Sequence, residues 1–361
     1  MKKIYTALGM MSGTSGDGID ASVIKSDGET KYEVLKDKFY KYPRDITSKI
    51  LILKDKIQKQ SDLDLLFEDI KLLDNEITNL HINVAKDMIK DYNIDILGFH
   101  GQTLLHVPEE RFSKQIGSGN LLSAELKKTV VYNFRKNDLL NGGQGAPLSP
   151  IFHNLIVKKK NLELPVTILN IGGISNITTI LKPEKIISYD IGPGNCLIDK
   201  WIRLNSKNSY DKDGLISRAG KVDKILFNQI LDDFYNNKIS TKKTFDVNDF
   251  WFCSSIKGLS LENGAATLTE ITSKILSEKL KNKNIYVCGG GRKNKFLLER
   301  IEEKINIKIK FIDDLEIDGD FVESQAFGFL SIRSLLGLPI TFPTTTGCAK
   351  PCSGGTIVNN Y

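Results

Sequence analysis

Short apolar runs alternate along the chain with longer stretches in which apolar residues recur at helical spacing. In the first half, Ile50, Leu53 and Ile57 follow the spacing of one helix face. Three apolar runs before that stretch lie close together and predict a three-stranded meander. The predicted strands of this half are 4–8, 20–26, 32–40, 94–97 and 129–132, and the predicted helices are 44–91 and 121–127.

The second half repeats this order of elements. Its predicted strands are 166–170, 176–181, 185–189, 285–288 and 307–312, and its predicted helices are 195–204, 222–236, 265–281, 294–304 and 322–335. Alternating strands and helices predict a mixed α/β sheet with covered faces, and the repeated order predicts a structural duplication. We therefore expect an N-terminal domain at 1–160 and a C-terminal domain at 161–361, with an irregular extension from Pro339 onward.

Composition indicates an ordinary globular protein, since 40% of the 361 residues are hydrophobic and 26% are charged. The net charge of +6 comes mainly from dispersed lysines, so we expect no nucleic-acid partner. The chain has no run of about 18 apolar residues and no apolar core of a secretory signal, so we expect no membrane partner. Five scattered cysteines are typical of a reducing compartment and predict a cytoplasmic protein.

Three glycine-rich segments each follow a predicted strand, at 9–18, 170–176 and 288–294. Glycine permits tight turns and lets a charged ligand approach backbone amides. The Ser, Thr and Asn residues nearby add neutral hydrogen-bond donors. Three such loops at strand ends suggest a nucleotide held between two domains, and hence a phosphotransferase.

Six motifs occur in order along essentially the whole chain. They are Met11-Ser-Gly-Thr-Ser-Gly-Asp-Gly18, Gly98-Phe-His-Gly-Gln-Thr103, Asn133-Phe-Arg135 with Asp138, Gly142-Gly-Gln-Gly-Ala-Pro-Leu148, Asn170-Ile-Gly-Gly-Ile-Ser-Asn176 and Asp190-Ile-Gly-Pro-Gly-Asn195. This set resembles the anhydro-N-acetylmuramic acid kinase family of the actin, sugar-kinase and heat-shock chaperone superfamily.

The resemblance implies a duplicated, two-domain actin-like (ribonuclease H-like) ATPase fold with a cleft between the domains. It implies ATP and Mg²⁺, an amino-sugar substrate and a homodimer. The implied reaction hydrolyses the 1,6-anhydro bond of 1,6-anhydro-N-acetylmuramic acid while O6 is phosphorylated, giving N-acetylmuramic acid 6-phosphate in cell-wall recycling. Two alternatives stay open: a kinase for another sugar, and a non-catalytic nucleotide-gated binding protein.

The resemblance assigns the glycine loops to the nucleotide. Gly13, Thr14, Ser15 and Gly18 are expected around the ATP phosphates, and Asp17 is expected at Mg²⁺, because a carboxylate and phosphates repel each other without a cation. The second phosphate loop is predicted at Gly172, Gly173, Ser175 and Asn176, and the adenosine loop at Gly289, Gly290, Gly291 and Asn294. The alternative for each loop is an ordinary tight turn between secondary-structure elements.

Two carboxylates are expected in catalysis. Asp190 ends a predicted strand, and the family resemblance makes it the base that accepts a proton from the attacking water. Without the family, an N-cap would be the simpler role for Asp190. Glu323 is expected to line the sugar site near the anhydro bond, although a first-turn Glu is also favoured by the helix dipole. Asp138 stays open as a competing base.

The remaining candidates concern the sugar. The expected substrate-binding residues are His100, Gln102, Arg135, Asp138, Gln144, Gly192 and Asn195. Arg135 could bind the lactyl carboxylate of the sugar or pair with Asp138. Two departures from the family pattern stand out. Gly16 occupies a position where many members carry Leu, and the segment 242–245 differs from the usual Lys-Ser-Thr-Gly-Arg-Glu.

Overall fold

The structure is a computed structural model that describes residues 2–183, 185–236, 244–250 and 256–361. The chain divides into two units: unit 1 comprises Met1–Leu162 and Asp320–Tyr361, and unit 2 comprises Glu163–Gly319. The first division falls close to the predicted boundary at 160. The expectation that everything after 161 forms one domain is wrong, because the last segment returns to contact unit 1.

Unit 1 contains one mixed sheet. Its strands are β1 (Tyr5–Ser12), β2 (Gly18–Ser26), β3 (Tyr32–Lys41), β4 (Ile96–Val107), β5 (Phe112–Ile116), β6 (Thr129–Tyr132) and, from the C-terminal segment, β12 (Thr356–Val358). The order is β12-β6-β4-β1-β2-β3, with β5 paired to β4. β1, β2 and β3 are antiparallel neighbours, as the meander predicts, while β4 runs parallel to β1 and β6 runs parallel to β4.

Helices cover both faces of the unit 1 sheet. They are α1 (Arg44–Lys56), α2 (Gln60–Leu65), α3 (Phe67–Met88), α4 (Gly119–Leu126), α5 (Lys136–Leu140), α6 (Pro150–Lys159) and α12 (Val322–Leu335). Leu8 and Met10 of β1 join the apolar cluster under α1 and α3. Because side chains alternate along a strand, Gly9 faces the opposite side, where α12 packs.

Glycines bring α12 unusually close to the sheet. A Cβ on Gly9 would lie 1.9 Å from the Ser324 carbonyl oxygen, and one on Gly98 would lie 2.2 Å from the Phe327 carbonyl oxygen. β12 then pairs antiparallel with β6. The segment after Pro339, which we expected to be irregular, therefore contributes a strand to unit 1.

Unit 2 repeats the five-strand order of unit 1. Its strands are β7 (Val166–Ile171), β8 (Ile174–Lys182), β9 (Lys185–Pro193), β10 (Ile285–Cys288) and β11 (Lys310–Phe311). The order β11-β10-β7-β8-β9 corresponds to β6-β4-β1-β2-β3, with the same parallel and antiparallel pairings. The duplicated α/β actin-like fold predicted above is confirmed.

The helices of unit 2 pack around a long central helix. They are α7 (Cys196–Asn205), α8 (Leu215–Ala219), α9 (Lys224–Asn236), α10 (Leu261–Lys279) and α11 (Lys295–Ile305). α10 contacts the other four helices and β9. Within the described ranges, no helix is both long and apolar enough to cross a lipid bilayer.

Candidate active site

The loop between β1 and β2 is the first predicted phosphate loop. Thr14, Ser15 and Asp17 are exposed on it, and the Ser15 hydroxyl donates to Asp17 Oδ1 at 2.6 Å. The loop closes by a turn in which the Gly16 amide donates to the Gly13 carbonyl at 3.2 Å. This arrangement leaves two hydroxyls and one carboxylate accessible to a ligand.

Two of the loop glycines have packing reasons of their own. Gly16 adopts a left-handed φ of +63°, and a Cβ there would lie 3.0 Å from Ile50 Cγ2. A Cβ on Gly18 would lie 2.4 Å from the Tyr40 carbonyl oxygen. The Gly16 departure from the family pattern is therefore compatible with a buried turn, and Gly18 is required by the pairing of β2 with β3 whether or not a ligand binds.

Gln102 connects the first loop to β4. Its side-chain amide donates to the Gly13 carbonyl at 3.0 Å. Gln102 is fully buried, yet its Oε1 has no hydrogen-bond partner within the part of the chain that the structure describes. A buried acceptor without a partner costs about 1–3 kcal/mol. This oxygen therefore suits a hydroxyl or amide donor from a ligand or a water molecule.

His100 and Arg135 form one buried hydrogen-bonded group. The Nδ1–H of His100 donates to the Gly101 carbonyl at 2.8 Å, which leaves Nε2 to accept from the Arg135 guanidinium at 2.9 Å. Burial, and next the Arg135 charge, hold the pKa of His100 well below its usual range, so the ring is neutral. Arg135 also donates to the Gly145 carbonyl at 2.7 Å. The guanidinium is thereby fixed beside the loop of the fourth motif.

Asp138 organises that same loop. Its Oδ2 accepts from the Gly145 amide at 2.7 Å, and its Oδ1 accepts from the Thr346 hydroxyl at 2.6 Å. The Gln144 amide donates to the Thr346 carbonyl at 2.8 Å. Asp138 is 1% exposed. With both oxygens engaged in these bonds, the carboxylate serves the loop that carries Gln144.

Glu323 lies half-buried in the first turn of α12. The two residues that follow it are anchored in unit 1. Ser324 Oγ lies 2.6 Å from Ser22 Oγ, and Gln325 Nε2 donates to Asp37 Oδ2 at 2.8 Å. These bonds hold the N-terminal turn of α12 against β2 and β3, so the position of Glu323 is fixed by its neighbours.

In unit 2, the β7–β8 loop interlocks with the turn from β9 to α7. The Gly194 amide donates to the Gly173 carbonyl and the Asn195 amide to the Gly172 carbonyl, both at 2.8 Å. A Cβ on Gly194 would lie 2.2 Å from the Gly172 carbonyl oxygen. Ser175 Oγ donates to the Pro193 carbonyl at 3.3 Å. The structure thus joins the second predicted phosphate loop to the motif that contains Asp190.

A row of polar side chains crosses the unit 2 sheet. Asn170, Asn176 and Asp190 are directly paired on β7, β8 and β9, so their side chains share one face. Asp190 is 8% exposed and its Oδ2 accepts from the Phe245 amide at 3.0 Å. Among the described residues, no partner is found for the buried Oδ1 of Asn176. Asp190 is therefore a strand residue, not the N-cap of α7, which is Asn195.

Gly289, Gly290 and Gly291 leave β10 at the same end of the sheet. Gly289 has a φ of +81°, and a Cβ there would lie 2.3 Å from Asn170 Oδ1. A Cβ on Gly291 would lie 2.1 Å from Ile171 Cγ2, whereas Gly290 is exposed and would meet nothing within 4 Å. Of the three, Gly290 is the one whose backbone is open to a ligand.

The residues after this loop are held by structural bonds. Asn294 is the N-cap of α11, and its Oδ1 accepts from the Leu297 amide at 3.0 Å. Arg292 is 6% exposed and binds both carboxylate oxygens of Asp313, at 2.8 and 3.0 Å. Burial favours a higher pKa for Asp313, but the Arg292 bonds bring it below its usual value. Asn294 therefore caps a helix, which is the ordinary role for this residue type.

Four contributors to these sites were not predicted from the sequence: Asn170, Phe245, Arg292 and Thr346. Asn170 had a signal, since it begins a glycine motif directly after a strand. Phe245 acts through its backbone amide, and Thr346 is more than 200 positions from Asp138, so neither has a local signature. Lys242 and Lys243 of the departing segment lie outside the described residues.

Comparison with known proteins identifies the family. A family model described as anhydro-N-acetylmuramic acid kinase matches residues 5–360. An anhydro-N-acetylmuramic acid kinase of Pelagibacter ubique is 49% identical, with all of both chains covered. One from Rhodospirillum rubrum is 37% identical over 97% of this chain and 93% of its own.

A solved structure with a similar arrangement shares little sequence with this chain. The Acidaminococcus fermentans (R)-2-hydroxyglutaryl-CoA dehydratase component A has a TM-score of 0.47 at 11% identity, covering 92% of this chain and 99% of its own. That likeness is too low to support an argument about function. The sequence matches over the full length identify the family: the chain belongs to the anhydro-N-acetylmuramic acid kinase family of sugar kinases.

Proposed function

We propose that this chain uses ATP and water to convert 1,6-anhydro-N-acetylmuramic acid to N-acetylmuramic acid 6-phosphate and ADP, a step of cell-wall recycling. Family membership over nearly the whole chain supports the reaction. The observation that carries the site assignment is the buried Asp190 carboxylate, oriented by the Phe245 amide within a polar row on the sheet.

Asp190 is the proposed general base. As water attacks C1 of the sugar, the carboxylate accepts a proton, and the bond between C1 and O6 breaks. The released O6 takes the γ-phosphoryl group of ATP, so one water and one ATP are consumed for each product. The hydrogen bond from the Phe245 amide to Oδ2 orients the carboxylate. Asn176 Oδ1, on the same face of the sheet, suits a hydrogen bond from a water molecule. Glu323 is the proposed second carboxylate at the anhydro bond.

The two β-hairpin loops are the proposed phosphate sites. In unit 1, the exposed Thr14 presents a hydroxyl donor to phosphate oxygens, and Ser15 does so once its hydroxyl turns away from Asp17. In unit 2, the corresponding loop is Gly172-Gly173, with Gly290 open for the adenosine end. Asp17 fits Mg²⁺, because this ion commonly binds through one or two carboxylates, substrate phosphates and water. Mg²⁺ would neutralise charge on the phosphates.

Arg135 is the proposed partner of the lactyl carboxylate, and Gln102 Oε1 the proposed acceptor for a sugar donor. A neutral His100 supports this role, because it fixes the guanidinium through Nε2 without adding charge. The other proposed sugar-binding residues are Gln144, Gly192 and Asn195. The homodimer is proposed from the family resemblance alone, and light scattering after size-exclusion chromatography tests it. The cytoplasmic location is proposed from the five scattered cysteines.

The deciding experiment is mass spectrometry of the product formed from the anhydro-sugar, ATP and Mg²⁺ in ¹⁸O-labelled water. We expect one new phosphate and one ¹⁸O at C1. Unlabelled N-acetylmuramic acid 6-phosphate in the same water corrects for spontaneous exchange at the anomeric carbon. Phosphate on an intact anhydro ring would contradict coupled hydrolysis and remove the role of Asp190. Absence of any phosphorylated product would refute the proposed substrate.

A further inference from the structure

Three buried polar side chains beneath the first phosphate loop have no role in the chemistry above. Ser12 Oγ lies 2.8 Å from the Tyr42 hydroxyl and 3.3 Å from His81 Nε2. Exposure is 1% for Ser12, 3% for Tyr42 and zero for His81. The polar atoms of the three side chains bond to one another and to the Ile77 carbonyl, so the group has a structural arrangement of its own.

The direction of each hydrogen bond in this group is determined. Burial lowers the pKa of His81 to about 4, so its ring is neutral near pH 7. Its Nδ1–H donates to the Ile77 carbonyl at 2.8 Å, which leaves Nε2 as an acceptor. The Ser12 hydroxyl must therefore donate to His81, and its oxygen accepts from Tyr42. The result is a chain of three hydrogen bonds in one direction, from the Tyr42 hydroxyl to Ser12, from Ser12 to His81 and from His81 to the Ile77 carbonyl of α3.

This group is attached to both ends of the loop. Ser12 is the last residue of β1 and directly precedes Gly13. At the other end, the Tyr42 amide donates to the Asp17 carbonyl at 2.9 Å. The same two residues that bond to each other through their side chains thus set the entrance and exit of the loop.

We propose that Ser12, Tyr42 and His81 are positioning residues that hold the 13–17 loop in the conformation that binds the ATP phosphates. The proposal rests on the proposed function for the identity of the ligand. Its physical basis is preorganisation, since a loop already held in its bound conformation loses less conformational freedom on binding. No residue of the group contacts the nucleotide.

The test compares two tyrosine variants that each lose one hydroxyl. Tyr42→Phe removes the bond to Ser12 but retains the ring and the backbone bond to Asp17. Tyr40→Phe is the matched control, because the Tyr40 hydroxyl bonds Asp87 on the surface of unit 1. For Tyr42→Phe we expect a KM for ATP about 3- to 10-fold higher, the size of one neutral hydrogen bond. Its kcat and its KM for the sugar should match those of the control.

Hydrogen exchange of the 13–18 amides without ligand gives a second readout that does not depend on activity. We expect faster exchange in Tyr42→Phe than in Tyr40→Phe, and the same change in Ser12→Ala. Equal exchange in the two tyrosine variants would overturn the proposal, as would an unchanged KM for ATP in an active enzyme. If the wild-type protein lacks kinase activity, the proposed function fails, and loop exchange alone decides whether the group positions the loop.

Discussion

Acidification should destabilise unit 1 selectively. All four histidines of the chain lie in unit 1. Burial lowers the pKa of His81 to about 4, and of His106 and His153 to about 3. His100 is also held well below its usual value, by burial and then by Arg135. The perturbation is a change from pH 7.5 to pH 5.5, which protonates histidine in the unfolded chain but not in this fold.

The direction and size of this loss of stability follow from the linkage between folding and proton binding. Each histidine has a lower pKa in the folded state than the unfolded value of about 6.5, so the unfolded state binds more protons below that pH. Stability is therefore fully present above pH 6.5 and is lost as the pH falls toward the folded pKa. Between pH 7.5 and 5.5 each histidine lowers the unfolding free energy by about 1.4 kcal/mol, and the four together lower it by about 5.5 kcal/mol. That is a large part of the roughly 5–15 kcal/mol typical of a folded domain.

Hydrogen exchange resolved by peptide measures this loss. Opening free energies, corrected for intrinsic exchange rates, should fall by several kcal/mol in the slowest peptides of unit 1. Peptides of unit 2 serve as the internal control, because that unit has no histidine. His81→Gln should reduce the pH effect by about one quarter. Equal opening free energies in unit 1 at the two pH values would show that the histidines are not buried as neutral groups.

Three further predictions concern single positions. Asp190→Asn should lower kcat about 10²- to 10⁴-fold with unchanged thermal stability, because it removes a general base. Asp138→Asn should instead lower the unfolding free energy by about 1–3 kcal/mol, because it disturbs two buried hydrogen bonds. Near-normal turnover of Asp190→Asn would transfer the role of the base to Asp138. Gly290→Ala should change the unfolding free energy by less than about 0.5 kcal/mol, while Gly291→Ala should lower it by about 1–3 kcal/mol through overcrowding. Equal denaturation midpoints for these two variants would contradict the loop geometry. Gly9→Ala should cost at least as much, because its Cβ would meet the backbone of α12 at 1.9 Å; unchanged urea unfolding would refute that packing.

Much of the fold was accessible from local pattern. β6 at Thr129–Tyr132 and α12 at Val322–Leu335 match their predicted bounds, and the repeated order of strands and helices predicted the duplicated sheet. β5 was missed because Phe112–Ile116 has a mixed polar pattern and is half-buried along most of its length. Its pairing with β4 compensates for the weak local signal.

The glycine motifs illustrate where local inference is incomplete. Gly18 was predicted to open the loop for phosphate, but its missing Cβ makes room for the backbone of β3. Gly9 and Gly98 make room in the same way for the backbone of α12. Glycine has one property, the missing Cβ, and several uses for it. Which use applies depends on what lies opposite, and residues far away in the chain supply that surface.

Periodicity and ordered motifs were sufficient for the element order, the duplication and the family, because these depend on residues close together in sequence. Three-dimensional packing decided that α12 and β12 belong to unit 1, that Asp138 is bonded to Thr346, and that Tyr42 and His81 meet at Ser12. Each of these depends on contacts between segments distant in the chain. Hydrogen bonds and close packing act through space over a few ångströms, so sequence separation carries almost no information about them.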